Sequence, residues 1–101
     1  MLDEIVDSVQ VQYRQKGTVL FEAGAIPQPW VFFIRQGAVH LYAEEPGGPR
    51  LVDICDVGDL FGMRPLLAGE SYLLTAIVEE ESLIYAMEAA VFSRQLEWIP
   101  L

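Results

Sequence analysis

Between Val11 and Met87 the apolar residues come in short runs, broken by turn formers at spacings of roughly ten residues. Val11–Arg14 alternates apolar and polar, and Lys16-Gly17 marks a turn before Thr18–Phe21. Ala23-Gly24-Ala25, Pro27 and Pro29 form a connection without helical character. Trp30–Gln36 is β-prone, with Trp30, Phe32 and Ile34 on one face and Val31, Phe33 and Arg35 on the other. Gly37 breaks that run and Ala38–Ala43 resumes it. Glu44-Glu45-Pro46-Gly47-Gly48-Pro49 reads as an exposed hairpin tip before Leu51–Val57. Leu73–Val78 and Ser82–Met87 are the last strand-like runs. The two ends change period. Leu2, Ile5, Val6 and Val9 share one helical face, with Asp3, Glu4 and Asp7 where the helix dipole favours acid. Ala89, Phe92 and Leu96 form a stripe that Pro100 ends. Pro65–Ala68 reads as one helical turn closed by Gly69, following the preference for proline at the start and glycine past the end.

The pattern predicts a mainly β domain, closed or nearly closed and antiparallel, with short flanking helices. Its parts are an N-terminal helix over 1–10, a β-body over 11–87 and the start of a helical part over 88–101. The apolar ending Trp98-Ile99-Pro100-Leu101 suggests one module of a longer protein.

Composition narrows the chemistry. With 101 residues, 52% hydrophobic and 21% charged, the chain suits one globular core. Fifteen acidic against six basic residues give a net charge of −9. That charge argues against nucleic acid and against an anionic membrane surface, which both need a basic footprint. No apolar run approaches the ~18 residues of a spanning helix. A lone cysteine, Cys55, and an acidic N-terminus without an export signal fit a reducing, cytoplasmic setting. One histidine, His40, and one cysteine exclude a multi-His or multi-Cys metal site, and with it a cupin-type enzyme. There is no G-x-S-x-G elbow, and His40 lies in the alternation Ala38-Val39-His40-Leu41-Tyr42, so it reads as a side chain on a sheet face. The expectation is a binding module and no enzyme, without a metal or catalytic residue. Cys55 reads as a small buried hydrophobe, and Glu79-Glu80-Glu81 as a solvated strand end.

Four stretches in order resemble the cyclic nucleotide-binding domain family. They are Lys16-Gly17-Thr18-Val19-Leu20-Phe21-Glu22-Ala23-Gly24; the paired strands Val31–Val39 around Gly37; Gly58-Asp59-Leu60-Phe61-Gly62; and Ala76-Ile77-Val78 with Ser82–Tyr85. The third is similar to the sequence that opens the family's phosphate-binding cassette. The resemblance implies a double-stranded β-helix, a jelly-roll-like β-roll, whose ligand lies against the cassette and whose later helix transmits the signal. Asp59–Leu67 followed by Tyr72–Ala76 also resembles the bacterial subgroup linked to CBS modules and a nucleotidyltransferase domain. On this resemblance the ligand-binding candidates are Phe61, Gly62, Met63, Arg64, Leu66, Leu67, Leu73, Leu74 and Thr75.

A cyclic nucleotide presents an anionic phosphodiester, a ribose hydroxyl and an apolar base. The anion wants an arginine and free amides, and the hydroxyl wants a carboxylate. The family supplies Phe-Gly-Glu, a helical turn, then an arginine before the next strand. Here Met63 stands at the glutamate position, Leu73 or Leu74 at the arginine position, and Pro65 where a backbone N–H would face the phosphate. Each charge-assisted hydrogen bond contributes roughly 1.5–3 kcal/mol, so the two losses cost ~3–6 kcal/mol, or about two to four decades of affinity. Arg64 is a candidate for supplying the missing positive charge; the alternative is that it points to solvent or pairs with Asp59. Two readings follow. One is a regulatory ligand-sensing module with a non-standard cassette, taking a cyclic nucleotide or other nucleotide-like ligand and signalling to a downstream domain or a protein partner. The other is a degenerate roll that binds no nucleotide and acts in docking or as a homodimer. An open cavity beside Gly62 is expected on the first reading, and a pocket filled by Met63 and Leu73 on the second.

Overall fold

The computed structural model describes residues 9–63, 65 and 68–91. Eight strands run β1 Gln10–Arg14, β2 Val19–Phe21, β3 Trp30–Gln36, β4 Val39–Ala43, β5 Arg50–Cys55, β6 Leu60–Phe61, β7 Thr75–Val78 and β8 Ser82–Glu88. They form two four-stranded antiparallel sheets, ordered β1-β8-β3-β6 and β2-β7-β4-β5. This is the β-roll the sequence predicts. Most chain neighbours fall in opposite sheets, so each sheet is completed by residues far apart in sequence.

The boundaries differ from expectation in physically readable ways. Gln10 already belongs to β1 and Glu88 still belongs to β8, because each pairs across the first sheet, Gln10 with Ala86 and Glu88 with Trp30. β5 stops at Cys55, since Asp56 and Asp59 close a turn on each other: the Asp59 N–H donates to the Asp56 carbonyl at 3.0 Å and the Asp56 N–H to Asp59 Oδ2 at 2.7 Å. β7 starts at Thr75 and leaves Leu73 and Leu74 in the preceding bend. β6, read from the sequence only as part of the cassette opening, is a two-residue strand against Phe32 and Phe33. The expected helix over 1–10 falls, up to residue 8, outside the described residues. Of the helix expected from Glu88, residues 89–91 are helical and 92–101 also lie outside. Among the described residues no helix is long and apolar enough to cross a membrane.

The core lies between the sheets. Phe32, Ile34, Ile84, Ala86 and Phe61 from one sheet meet Phe21, Val39, Cys55, Ala76 and Val78 from the other. Val31 is also fully buried, so β3 is covered on both faces. One glycine is fixed by close approach. Gly37 sits at φ +97°, and a Cβ there would lie 2.1 Å from Ser82 Oγ and 2.8 Å from the Glu81 carbonyl oxygen. The Ser82 hydroxyl accepts the Ala38 N–H at 3.2 Å and donates to the Glu80 carbonyl at 2.8 Å. This pins the β3–β4 turn to the start of β8. The break that punctuates the sequence at Gly37 is thus a packing contact between turn and strand.

Cys55 is buried, and burial, followed by the carboxylates of Asp53, Asp59 and Asp56, pushes its thiol up to about 11. His40 lies on β4 with Nδ1 3.6 Å from Glu79, whose carboxylate accepts the Tyr42 hydroxyl at 2.8 Å. Glu79 is therefore tied to the sheet, while Glu80 and Glu81 are exposed as expected.

Candidate functional site

The cassette begins where the Gly58-Asp59 turn is bolted to β3. The Gly58 N–H donates to the Ile34 carbonyl at 2.8 Å, and the Ile34 N–H donates to the Asp59 carbonyl at 3.1 Å. Asp59 thus shapes a turn. Phe61 then enters the core and packs on Phe32 with ring centroids 5.3 Å apart. Gly62 follows at φ +88°, where a Cβ would stand 2.9 Å from Phe32 Cδ2. Both the backbone sign and the aromatic wall demand glycine at this bend. Pro65 and Ala68 are helical, and Gly69, at φ +70°, ends the turn. The Glu70 N–H reaches back to the Pro65 carbonyl at 3.0 Å, the six-to-one bond of a Schellman stop. Arg64, Leu66 and Leu67 lie outside the described residues.

Tyr72 anchors the far end of the cassette, a role the sequence reading, which named it only within the subgroup stretch Tyr72–Ala76, did not assign. It is 2% exposed and stacks on Phe21 at 3.9 Å with planes 11° apart. Its carbonyl accepts the Gly24 N–H at 2.7 Å, its N–H donates to the Ala25 carbonyl at 3.0 Å, and its hydroxyl accepts the Gln28 N–H at 2.9 Å. Burial pushes the phenol up, and the Gln28 N–H partly opposes that shift. The one signal in the sequence is an aromatic within the otherwise polar Gly69-Glu70-Ser71 approach to Leu73.

Thr75 is 6% exposed, and its hydroxyl is already engaged. It accepts the Ala23 N–H at 3.0 Å and donates to Glu44 at 2.9 Å. The hairpin-tip residue Glu44 therefore sets a carboxylate beside a candidate ligand residue. A second anion 4–5 Å away would meet a repulsion of roughly 1–4 kcal/mol between the surface and bulk-water limits. Met63 and Leu74 are half-buried, and Leu73 is 70% exposed, so Leu73 does not fill a pocket. A cleft of about 310 Å³ lies between the β2–β3 loop and the cassette turn, lined by Ile26, Pro27, Pro65, Gly69, Glu70 and Ser71. Gly62 and Met63 do not line it. The structure brings together Phe61, Gly62 and the helical turn; it puts Thr75 against Glu44 and turns Leu73 outward. Among the described residues no cluster of His, Cys, Asp or Glu could hold a metal ion.

A glycine bend, a capped helical turn and an anchored return to β7, on a roll of two sheets, are the parts of one known domain. The profile of the cyclic nucleotide-binding domain matches residues 11–97. The chain belongs to this family. No curated protein matches it. Among solved structures it is similar to the sensor domain of the transcriptional regulator DNR from Pseudomonas aeruginosa, at 21% identity and a TM-score of 0.83, covering 96% of this chain and 65% of that one. It is also similar to the regulatory domain of Toxoplasma gondii protein kinase A with cAMP, at 19% identity and a TM-score of 0.81, over 92% of this chain and 36% of that one. A third is the regulatory subunit of a cAMP-independent protein kinase A from Trypanosoma brucei, at 16% identity and a TM-score of 0.82, over 92% of this chain and 34% of that one. These likenesses establish the shared fold, and the chain spans 65% or less of each of the three solved chains.

Proposed function

We propose that this domain is a regulatory ligand-sensing module whose cassette does not receive a cyclic nucleotide phosphate in the family's usual manner, and that it signals to a downstream domain or a protein partner. The observation that carries the reading is the Thr75 hydroxyl, committed to the Ala23 N–H and to the Glu44 carboxylate. Met63, Leu73 and Leu74 add no charge to replace what the family's pattern supplies, and Pro65 offers no N–H. The cassette backbone is nevertheless built with care: the Gly62 bend, the Schellman stop and the Tyr72 anchor are all present. A scaffold kept while its charges change fits a switch of ligand better than disuse. The neighbours include one regulatory domain with cAMP and one named cAMP-independent, so the fold accommodates both outcomes. No reaction is assigned; the module binds.

The docking reading draws on one specific feature. Ile26 at 87% and Leu73 at 70% exposure are apolar side chains at the two sides of the cassette return. A panel of cAMP, cGMP, AMP and cyclic dinucleotides, followed by thermal shift and calorimetry with and without Arg64→Ala, separates the two. Saturable binding of a panel member other than a cyclic mononucleotide, lost in Arg64→Ala, supports the sensing reading. No shift at millimolar ligand supports docking instead.

A further inference from the structure

The edge strand β1 carries Gln10, Gln12 and Arg14 on one side, with Gln12 half-buried and Gln10 and Arg14 exposed. Its register sets Gln10, Gln12 and Arg14 opposite Ala86, Ile84 and Ser82, all three buried. Its apolar residues Val11 and Tyr13 are 58% and 80% exposed. Where β1 approaches β2 at the open side of the roll, Gln12 and Arg14 line a polar cleft of about 160 Å³ with Thr18, Gln28 and Phe32. A charged side chain on an edge strand discourages pairing with other chains. That device accounts for Arg14 but not for the cleft, whose opposite wall sets Thr18 and a fixed Gln28 among the apolar Val19, Leu20 and Phe32. The Gln28 amide nitrogen is fixed on the Leu20 carbonyl at 3.1 Å.

The donors of the cleft are arranged for an anion. Arg14 Nε and Nη2 both donate to Gln12 Oε1, at 3.3 and 3.1 Å, so an amide oxygen already occupies one edge of the guanidinium. Three of its five N–H groups remain, and fixing Gln12 Oε1 leaves that amide's NH₂ as a donor. Among the described residues the carboxylates within ion-pair distance of a basic side chain are Glu79, beside His40, and Glu45, beside Arg50, so Arg14 has no carboxylate partner there, in a chain with fifteen acidic residues. The cleft, at about 160 Å³, has room for a phosphate or a small carboxylic acid.

We propose that the cleft between β1 and β2 is a second site, which binds a small oxyanion through Arg14, Gln12 and Thr18. The site reaches the cassette by two contacts. Gln28 donates its N–H to the Tyr72 hydroxyl, and the Phe32 ring that lines the cleft also walls Gly62. The proposal does not depend on which ligand the cassette takes.

The test titrates the whole chain, in a buffer free of both anions, with succinate in one arm and inorganic phosphate in the other. Calorimetry and amide NMR follow each arm. At least one arm is expected to saturate, shifting Gln12, Thr18 and Gln28, with Tyr72 following; the arm that does so names the anion. Arg14→Gln is expected to weaken binding roughly tenfold to a hundredfold, the loss of one charge-assisted contact. Arg35→Gln, an equal loss of charge at another exposed position, should leave it unchanged. Thr18→Val provides a second variant in case Arg14→Gln alters folding, and should weaken binding as well. The proposal is overturned if neither arm saturates at millimolar anion, if the shifts centre on Gly62 instead, or if Arg35→Gln weakens binding as much as Arg14→Gln.

Discussion

Replacing Thr75 by valine keeps the shape of a nearly buried side chain and removes one oxygen. Two interactions are lost. The Ala23 N–H, which donates to that oxygen at 3.0 Å, is left without its acceptor, and an orphaned donor costs about 1–3 kcal/mol. The bond to Glu44 is lost too, but Glu44 is exposed and water replaces it, so that part is about 0.5 kcal/mol. The sum is about 1.5–3.5 kcal/mol, which for a domain of this size lowers Tm by roughly 6–20 °C. Urea unfolding followed by tryptophan fluorescence should show a lower midpoint with an unchanged slope, because the surface exposed on unfolding is the same. Glu44→Gln should cost below about 0.5 kcal/mol, since the amide oxygen can still accept the hydroxyl. A Thr75→Val loss below about 0.5 kcal/mol, or an equal loss in Glu44→Gln, would show that the hydroxyl is not committed as described.

The remaining predictions follow from the same contacts. Gly37→Ala forces a Cβ to within 2.1 Å of Ser82 Oγ at φ +97°, and should cost about 3 kcal/mol or more by denaturant titration; a near-neutral result would refute the packing of turn against β8. Tyr72→Phe keeps the stack on Phe21 and orphans the Gln28 N–H, so a loss of about 1–2 kcal/mol is expected, with faster amide exchange at Gln28. Alkaline pH should destabilise the fold. Cys55 is raised from 9.0 to about 11 chiefly by burial, Tyr42 is raised chiefly by its bond to Glu79, and Tyr72 by burial. The unfolded chain then ionises first, so stability is whole below about pH 9 and falls as pH rises through about 11, and a urea midpoint that stays level over this range would contradict it.

The roll was legible because its punctuation is local. Gly37 and the Gly58–Gly62 segment mark places where the backbone must bend, and the runs between them are long enough to show a period of two. β6 was not legible, since two residues have no period. The polar lining of the β1–β2 cleft was not legible either: alternation tells that Val11 and Gln12 point opposite ways, and only the pairing with β8 tells which way is in. At the site, Met63, Pro65 and Leu73 or Leu74 could be set against the family's motif from the sequence alone. The Glu44–Thr75 bond could not, because it joins residues 31 positions apart through the meeting of a hairpin tip with β7. The Tyr72 anchor has the same cause, as its partners come from 21–28 and are brought to it by the closing of the roll. Beside Gly62 stands the Phe32 ring, a contact between residues 30 positions apart that no local pattern announces.

The affinity of the unaltered chain for cAMP, measured by calorimetry at low salt, tests the central claim most directly. On the proposed reading, in which the cassette lacks the family's charge pair, and with the Thr75 hydroxyl held by Glu44, a dissociation constant of ~100 μM or weaker is predicted. Saturable one-to-one binding at ~1 μM would contradict the account.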